Sequence, residues 1–334
     1  MSDDLQEVLR QAVGKKIPTA RLHTIKWPTQ IKSSLDGDCC KIHLLAKSVT
    51  ANMQGDAAAF EGWVLVIKAW LADVGIRRVE MSWEHPVESN GHYQRFLYRV
   101  IRFSRLFSWF LVSSESKSEL MRSDLLEVDG AIIDKPFCLN TEGKRDSIID
   151  KQAYTSEVRI IEFSEMSEHE TEMLFMANSS PLLRCVFAED GQELRRQLPV
   201  GVFDGVPKKE ASVFTHGKSA VDLWAVNSEK VVLFELKKPT GNKRVGAISE
   251  LFFYMNVISD LRDGAIQLPD DRKHDLFRDK KVEGYLLLGE VHPLLSEDVF
   301  TELNAGLAQM QSHMGLVSYG ACDKQGLWCK KVYQ

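Results

Sequence analysis

The chain has 334 residues, a formal net charge of -5 and a pI near 6.0, which is length enough for two domains and a sizeable core. That acidic balance excludes an overall basic coat for nucleic acid, although it is compatible with local phosphate contacts around acidic catalytic groups. Six cysteines, Cys39, Cys40, Cys138, Cys185, Cys322 and Cys329, include no C-x-x-C pair and no zinc-ligand spacing, and they read as reduced thiols in a cytoplasmic protein.

The opening Met1-Ser2-Asp3-Asp4 is acidic and has no signal-peptide pattern. The longest apolar stretch, Ala57 to Ala72, contains Glu61 and Lys68. It predicts a core helix rather than a membrane span, and no membrane partner is expected. Lys41 to Ala46 and Arg78 to Trp83 predict strands on either side of a helix from Ala57 to Val74. A helix from His92 to Leu106 and a strand from Trp109 to Ser113 follow. Together they predict an N-terminal α/β domain over residues 1–150, with recognition, regulation or assembly as its role. The polar run from Thr141 to Ser147 marks its end. Arg95, Arg99 and Arg102 fall on one face of the His92 helix, with Arg105 close by and Phe96, Tyr98 and Phe103 interleaved. This face reads either as a stripe for a nucleic-acid backbone or as a solvated basic face whose aromatic residues are core, and the second reading is favoured.

In the second domain, residues 151–334, Asp190-Gly191-Gln192-Glu193 has the spacing of a capping box and predicts a short helix to Leu198, stopped by Pro199. Ser212 to Thr215 predicts a strand and His216-Gly217-Lys218 a turn. Ala220 to Val226 and Val231 to Lys237 then form a hairpin about the polar cluster Asn227-Ser228-Glu229-Lys230. With Ser228 and Glu229 at the tip, Trp224 falls opposite Leu233 and Asp222 opposite Glu235. Alternation puts Val221, Leu223, Ala225, Val232, Phe234 and Leu236 on one wholly apolar face. The other face is apolar near the turn and carries Asp222, Glu235 and Lys237 toward the open end. Further on, Val245 to Leu261 predicts a helix, Gly284 to Gly289 a strand, Ser296 to Met310 an amphipathic helix and Leu316 to Gly320 a last strand.

An acid followed two residues later by Lys also occurs at Glu115-Lys117, Glu142-Lys144, Asp271-Lys273 and Asp279-Lys281, so spacing alone carries little. Context distinguishes Glu235-Leu236-Lys237. Two carboxylates directly opposite on a buried face repel unless a cation lies between them. Hard oxygens converging at an open site suit Mg2+, or Mn2+, with a phosphate completing the coordination. Lys237 would hold or deprotonate the attacking water, or offset charge building up on the phosphorane.

On the residues Asp222, Glu235, Leu236 and Lys237, the C-terminal half resembles the PD-(D/E)XK nuclease superfamily, whose restriction-endonuclease-like core is a mixed central sheet flanked by helices. The resemblance implies metal ligation by Asp222 and Glu235, helped by the Leu236 carbonyl, with Lys237 as the catalytic lysine. It also implies an acidic residue on the first helix, for which Glu193 is the matching candidate and Glu189 a competitor. The Gln and Tyr that several members carry four residues apart on the second helix correspond to Glu250 and Tyr254. Glu250 is then either a third carboxylate near the metal or a helix-surface charge, with the surface favoured. Lys218, Lys238, Lys243 and Arg244 are candidates for phosphate contacts. The expected activity is that of a metal-dependent nuclease, an endonuclease acting on DNA in preference to RNA. A homodimer is the favoured assembly, and a role in restriction or anti-phage defence is an analogy. The alternative is a catalytically inactive scaffold that binds nucleic acid or a protein partner.

Overall fold

A computed structural model describes residues 5–120, 137–139, 162–215, 219–240, 245–268, 275–322 and 326–333. In chain order the helices are α1 (Leu5–Lys16), α2 (Ala46–Val49), α3 (Phe60–Trp70), α4 (Gly91–Leu106), α5 (Ser114–Leu120), α6 (Glu168–Ala177), α7 (Ser180–Val186), α8 (Gly246–Arg262) and α9 (Glu297–Leu307). The strands are β1 (Ile31–Asp36), β2 (Cys39–Leu44), β3 (Arg78–Trp83), β4 (Phe110–Val112), β5 (Phe137–Leu139), β6 (Arg195–Pro199), β7 (Val202–Asp204), β8 (Ala220–Val226), β9 (Lys230–Leu236), β10 (Lys281–Leu288), β11 (Ser312–Cys322) and β12 (Gly326–Tyr333). The class is α/β, with two mixed sheets and a small ladder of β5 with β7. Among the described residues no helix is long and apolar enough to cross a membrane.

The first sheet has the order β1-β2-β3-β4, antiparallel between β1 and β2 and parallel thereafter. Parallel neighbours need crossovers, which α3 and α4 supply. The second sheet has the order β12-β11-β10-β9-β8-β6, and its parallel strands β9, β10 and β11 are connected through α8 and α9. Both faces of this sheet are covered, as a parallel centre requires. Phe175, Leu182, Leu183 and Val186 of α6 and α7 pack with Leu223, Phe234 and Leu236 on one side. On the other side Trp224, Val231 and Leu233 pack with α8.

The helices of the two sheets meet in one apolar core. Phe103 of α4 lies 5.6 Å from Phe252, and Tyr98 lies 5.9 Å from Phe253. At Gly62 a Cβ would stand 2.6 Å from the Val245 carbonyl oxygen, so glycine is what lets α3 approach the start of α8. Every residue of α8 from Gly246 to Leu261 is buried, and nearly all of α3 is too. A helix enclosed on all sides has no polar face, which explains the near-continuous apolar run in both segments. The expected division between 1–150 and 151–334 falls at residues outside the described ones.

Several predicted elements are placed differently. Residues 190–194 form a loop rather than a helix, turned by Gly191 at φ 105°, and the chain continues as edge strand β6. Asp190 and Glu193 have capping-box spacing, but pairing with β8 overrides that local preference, and Pro199 is tolerated because β6 is an edge. Ser212 to Thr215 is not a strand and makes only a single bridge, Phe203 to Ser212. The meander is therefore β6-β8-β9, with its first strand earlier in the chain than expected. Strands β1 and β12 had no clear signal.

Of the favoured reading of the α4 face, the core aromatics Phe96, Tyr98 and Phe103 and the exposed Arg105 hold, but Arg95, Arg99 and Arg102 are not solvated. Arg99 is buried and forks onto Glu61 of α3, with Nε donating to Oε1 at 2.7 Å and Nη2 donating to Oε2 and to the Ala58 carbonyl. Arg102 pairs with Asp260 of α8 at 2.9 Å and donates to Asn256 Oδ1 at 2.9 Å. Tyr98 donates to the same Asp260. These charges lie between the sheets rather than on the surface. Truncating one partner leaves the other buried and unpaired, so Arg99→Met is expected to lose about 3–5 kcal/mol in urea unfolding, while Glu61→Leu together with Arg99→Met recovers most of it. Equal losses in the single and double variants would show that the pair does not act as a unit.

Candidate active site

The β8–β9 hairpin forms in the expected register. Asn227 N–H donates to the Lys230 carbonyl at 3.1 Å, the Asn227 side chain accepts the Glu229 and Lys230 N–H groups, and Trp224 pairs with Leu233. Pairing extends to Leu223 with Phe234. At the next position the Asp222 carboxylate turns across the ladder and accepts the Leu236 N–H at 2.9 Å. On its other side Asp222 falls opposite Gln197, between the pairs Arg196–Leu223 and Leu198–Val221. Gln197 is left-handed, with φ 53°, a conformation that costs about 1–2 kcal/mol for a residue with a Cβ. Its amide donates to Glu172 Oε1 at 3.0 Å, and Arg196 forks onto the same carboxylate at 2.8 and 3.0 Å. Side-chain alternation slips at this point. Val221 joins the core on the α8 side instead of the face that carries Leu223.

Glu235 is 2% exposed. Lys237 lies just beyond β9, pinned by its backbone: its N–H donates to the Leu287 carbonyl at 3.0 Å, and its carbonyl accepts the Tyr319 hydroxyl. Its ammonium donates to Glu235 Oε1 and, at 3.0 Å, to Glu250 Oε2. Glu250 is also only 2% exposed. It is a buried member of the cluster, and the helix-surface reading of this position is overturned. The enclosure of α8 turns this side chain into the interior. Glu250 Oε1 accepts the Tyr254 hydroxyl at 3.0 Å and the Gln54 amide at 2.7 Å. Gln54 comes from the loop before α3, so the first sheet's half supplies a side chain to the cluster.

The charge balance is uneven, with three carboxylates around one ammonium. Burial pushes the Asp222 pKa up to about 7, against the opposing pull of Lys237 and the Leu236 N–H. Burial, together with the charges of Asp222 and Glu250, holds Glu235 well above the carboxylate range. Burial also acts on Glu250, but Lys237 and the hydrogen bonds it receives outweigh it and keep that carboxyl low. Burial disfavours the Lys237 ammonium, yet Glu235, Glu250 and Asp222 prevail and raise its pKa well above that of a free lysine. Lys237 is therefore a fixed cation here, suited to stabilising negative charge and to orienting water. Removing a proton from water is not open to it in this state.

Glu235 Oε2 is buried with no hydrogen-bond partner. Glu235 and Glu250 lie within hydrogen-bond reach of each other, and loss of the Glu235 and Asp222 protons would leave two hard carboxylates of the kind that suit a divalent cation. Among the described residues no group of three or more His, Cys, Asp or Glu side chains is placed to hold a metal ion. Asp222 and Glu235 are the two side chains that could hold one between them.

The remaining expected residues divide clearly. Lys238 is exposed directly after Lys237. Lys218, Lys243 and Arg244 lie outside the described residues. Glu193 is an exposed loop residue paired with Arg195 at 3.3 Å, and Glu189 is likewise exposed. The acidic residue that reaches toward Asp222 is Glu172 of α6, whose charge helps to raise the Asp222 pKa. Neither Glu172 nor Gln54 was anticipated. Glu172 stands in an acidic helix segment with a capping box at Ser167 and Glu170, which gave a signal for the helix but none for the site. Gln54 is in an aperiodic polar loop.

A carboxyl whose folded pKa is raised weakens the fold as it ionises. Without added metal, stability is expected to fall as pH rises from the ordinary carboxylate range through about 7, because the unfolded chain releases the Asp222 proton more readily. Asp222→Asn can still accept the Leu236 N–H. It should match the wild type near pH 4 and melt higher near pH 8, by about 2–4 °C for each kcal/mol of relieved charge. Thermal melts in chelator check this, and an Asn variant less stable at both pH values would refute the charge-burial account. Comparison with family models, with curated proteins and with solved structures gives no match for this chain.

Proposed function

We propose that the chain is a divalent-metal-dependent nuclease that hydrolyses phosphodiester bonds, DNA before RNA, on a restriction-endonuclease-like core formed by the β6-β8-β9 meander, α8 and β10. The observation that carries the reading is the cluster of three acidic side chains, Asp222, Glu235 and Glu250, gathered about one lysine that donates to two of them, with the Asp222 and Glu235 pKa values raised. A cluster kept for folding alone would have its charges matched, since an unpaired buried carboxylate is costly.

In this proposal Asp222 and Glu235 hold Mg2+ or Mn2+, joined by the Leu236 carbonyl. The bound cation would supply Lewis-acid activation of a phosphoryl oxygen and of the attacking water. Lys237 acts as the fixed ammonium that orients that water and stabilises charge developing on the phosphorane. Glu250 is a positioning residue, because its carboxylate holds Lys237 while Tyr254 and Gln54 hold the carboxylate. The parallel centre of the sheet stays rigid behind them. With one such site per chain, cutting both strands of a duplex would call for a two-fold pair.

The test incubates purified protein with supercoiled plasmid, single-stranded DNA and RNA, in Mg2+, Mn2+ or chelator. Cleavage is expected with metal only, and Asp222→Ala and Lys237→Ala should each lower it on the order of 10²–10³-fold. Cleavage that persists in chelator or survives both substitutions would sink the mechanism. Binding without cleavage under every metal condition would point to a nucleic-acid-holding scaffold instead.

The metal site has its own readout. Mg2+ or Mn2+ should raise the melting temperature of the wild type more at about pH 8 than at about pH 6, because Asp222 must lose its proton to become a ligand. The increment should vanish in Asp222→Asn. An increment independent of pH, or one that persists in the variant, would place the cation elsewhere.

A further inference from the structure

Arg95 stands apart from the other arginines of α4. It is 3% exposed. Arg99 and Arg102 each have a carboxylate, Glu61 and Asp260, but among the described residues no carboxylate lies within ion-pair distance of Arg95. Its partners are neutral. Nη2 donates to His92 Nδ1 at 2.8 Å and to Asn52 Oδ1 at 3.3 Å, and Nη1 donates to Thr215 Oγ1 at 3.4 Å. Two of these contacts are at the long limit for a hydrogen bond, and a guanidinium has five N–H groups to satisfy. The guanidinium also lies 5.6 Å from the centre of the Phe253 ring.

Buried charges in folded proteins are paired or bind an ion, and leaving a guanidinium without an anion works against the fold. Burial and the neighbouring Arg99 hold the Arg95 pKa down to about 10, so the group is still a cation at neutral pH. A helix salt bridge would have relieved this, as it does for Arg99 and Arg102 on the same helix. The arrangement is that of a cation prepared for an anion from outside.

Arg95 is also joined to the catalytic cluster. Asn52, which accepts from Arg95, donates through Nδ2 to Gln54 Oε1 at 3.3 Å. Gln54 Nε2 donates to Glu250 Oε1 at 2.7 Å, and Glu250 Oε2 accepts from Lys237 at 3.0 Å. Asn52 and Gln54 are exposed, so this run of side chains borders solvent between the two cations. This run of side chains links the Arg95 guanidinium to the Lys237 ammonium, and an anion could reach Arg95 by displacing the long Asn52 contact.

We propose that Arg95 is the anion-binding group of a second subsite, contributed by the first sheet's half, which grips a backbone phosphate of the nucleic-acid strand next to the phosphate held at Asp222, Glu235 and Lys237. The inference rests on the nuclease reading and extends it to the substrate's flanking backbone. A guanidinium fork matches two phosphate oxygens, which an ammonium cannot do. The first half of the chain then contributes to substrate binding through one buried arginine rather than a basic surface, in keeping with a net charge of -5.

The test measures the affinity of the full chain for labelled single-stranded and duplex oligonucleotides in chelator across a salt series, with a parallel set in which one phosphate at a time is a neutral methylphosphonate. Arg95→Met should weaken binding roughly tenfold and lower the slope of log affinity against log salt by about one. It should also melt at a higher temperature than the wild type, the reverse of what a structural role predicts. A methylphosphonate at one position beside the scissile bond should weaken the wild type but have no further effect on the variant. Asn52→Asp, which supplies a carboxylate to Arg95, should stabilise the fold and weaken binding similarly, and it carries the test if the methionine variant does not fold. Unchanged affinity and salt slope in these variants, while the wild type cuts, would overturn the subsite and leave the nuclease reading standing. A wild type that neither binds nor cuts any oligonucleotide would remove both.

Discussion

At the open end of the β8–β9 hairpin three carboxylates, Asp222, Glu235 and Glu250, close around the single ammonium of Lys237, and the layers about them are packed so that this imbalance is not relieved by water. Glu235 comes from a central strand covered on both faces, and Glu250 comes from a helix enclosed between two sheets. Surface ion pairs would dissipate such a charge difference in solvent. Here it persists as raised Asp222 and Glu235 pKa values, so the cluster holds protons that exposed carboxyls would have released.

The first sheet's half sets the position of that cluster. Ion pairs from Arg99 to Glu61 and from Arg102 to Asp260 tie α4 to α3 and α8. Their net contribution to stability is small once desolvation is counted, but a mispaired arrangement would strand a buried charge, so they specify one docking of the helices. Gly62 allows the close approach of α3 to the start of α8. With that docking fixed, the loop before α3 places Gln54 against Glu250. The cluster is therefore assembled from both sheets, and the helix layer shared between them keeps its parts in register.

How much of this was legible in the chain follows from which interactions are local. The hairpin register, and with it the juxtaposition of Asp222, Glu235 and Lys237, was readable because alternation has a period of two and the Asn227 turn fixes the starting point. The helices at α3, α4, α8 and α9 were readable from their apolar runs. What could not be read was burial imposed from a distance. Glu250 looks like a helix-surface charge because nothing near it in sequence announces that α8 is enclosed on every side. Arg99 and Arg102 look solvated because their carboxylates, Glu61 and Asp260, lie far along the chain. The loop at residues 190–194 shows the converse error, where a local helix signal lost to strand pairing with β8.

These tertiary effects bear on how an acidic chain could handle a polyanion. A basic surface attracts nucleic acid over long range and loses that attraction steeply with salt. Cations buried beside carboxylates act only at contact, where the medium between the charges is no longer bulk water and each hydrogen bond to an anion is stronger. Lys237 is of this kind, donating to Glu235 and Glu250, whereas Arg95 is a buried cation whose direct partners are neutral. The difference decides their parts. Lys237 is already neutralised and releases little when an anion arrives, which suits a group that must keep its geometry while charge develops nearby. Arg95 makes no direct ion pair among the described residues and feels Glu250 and Glu61 only at a distance, so an anion in contact with it would gain more there. In the proposed nuclease, affinity and chemistry would thus fall to separate cations, joined through Asn52, Gln54 and Glu250.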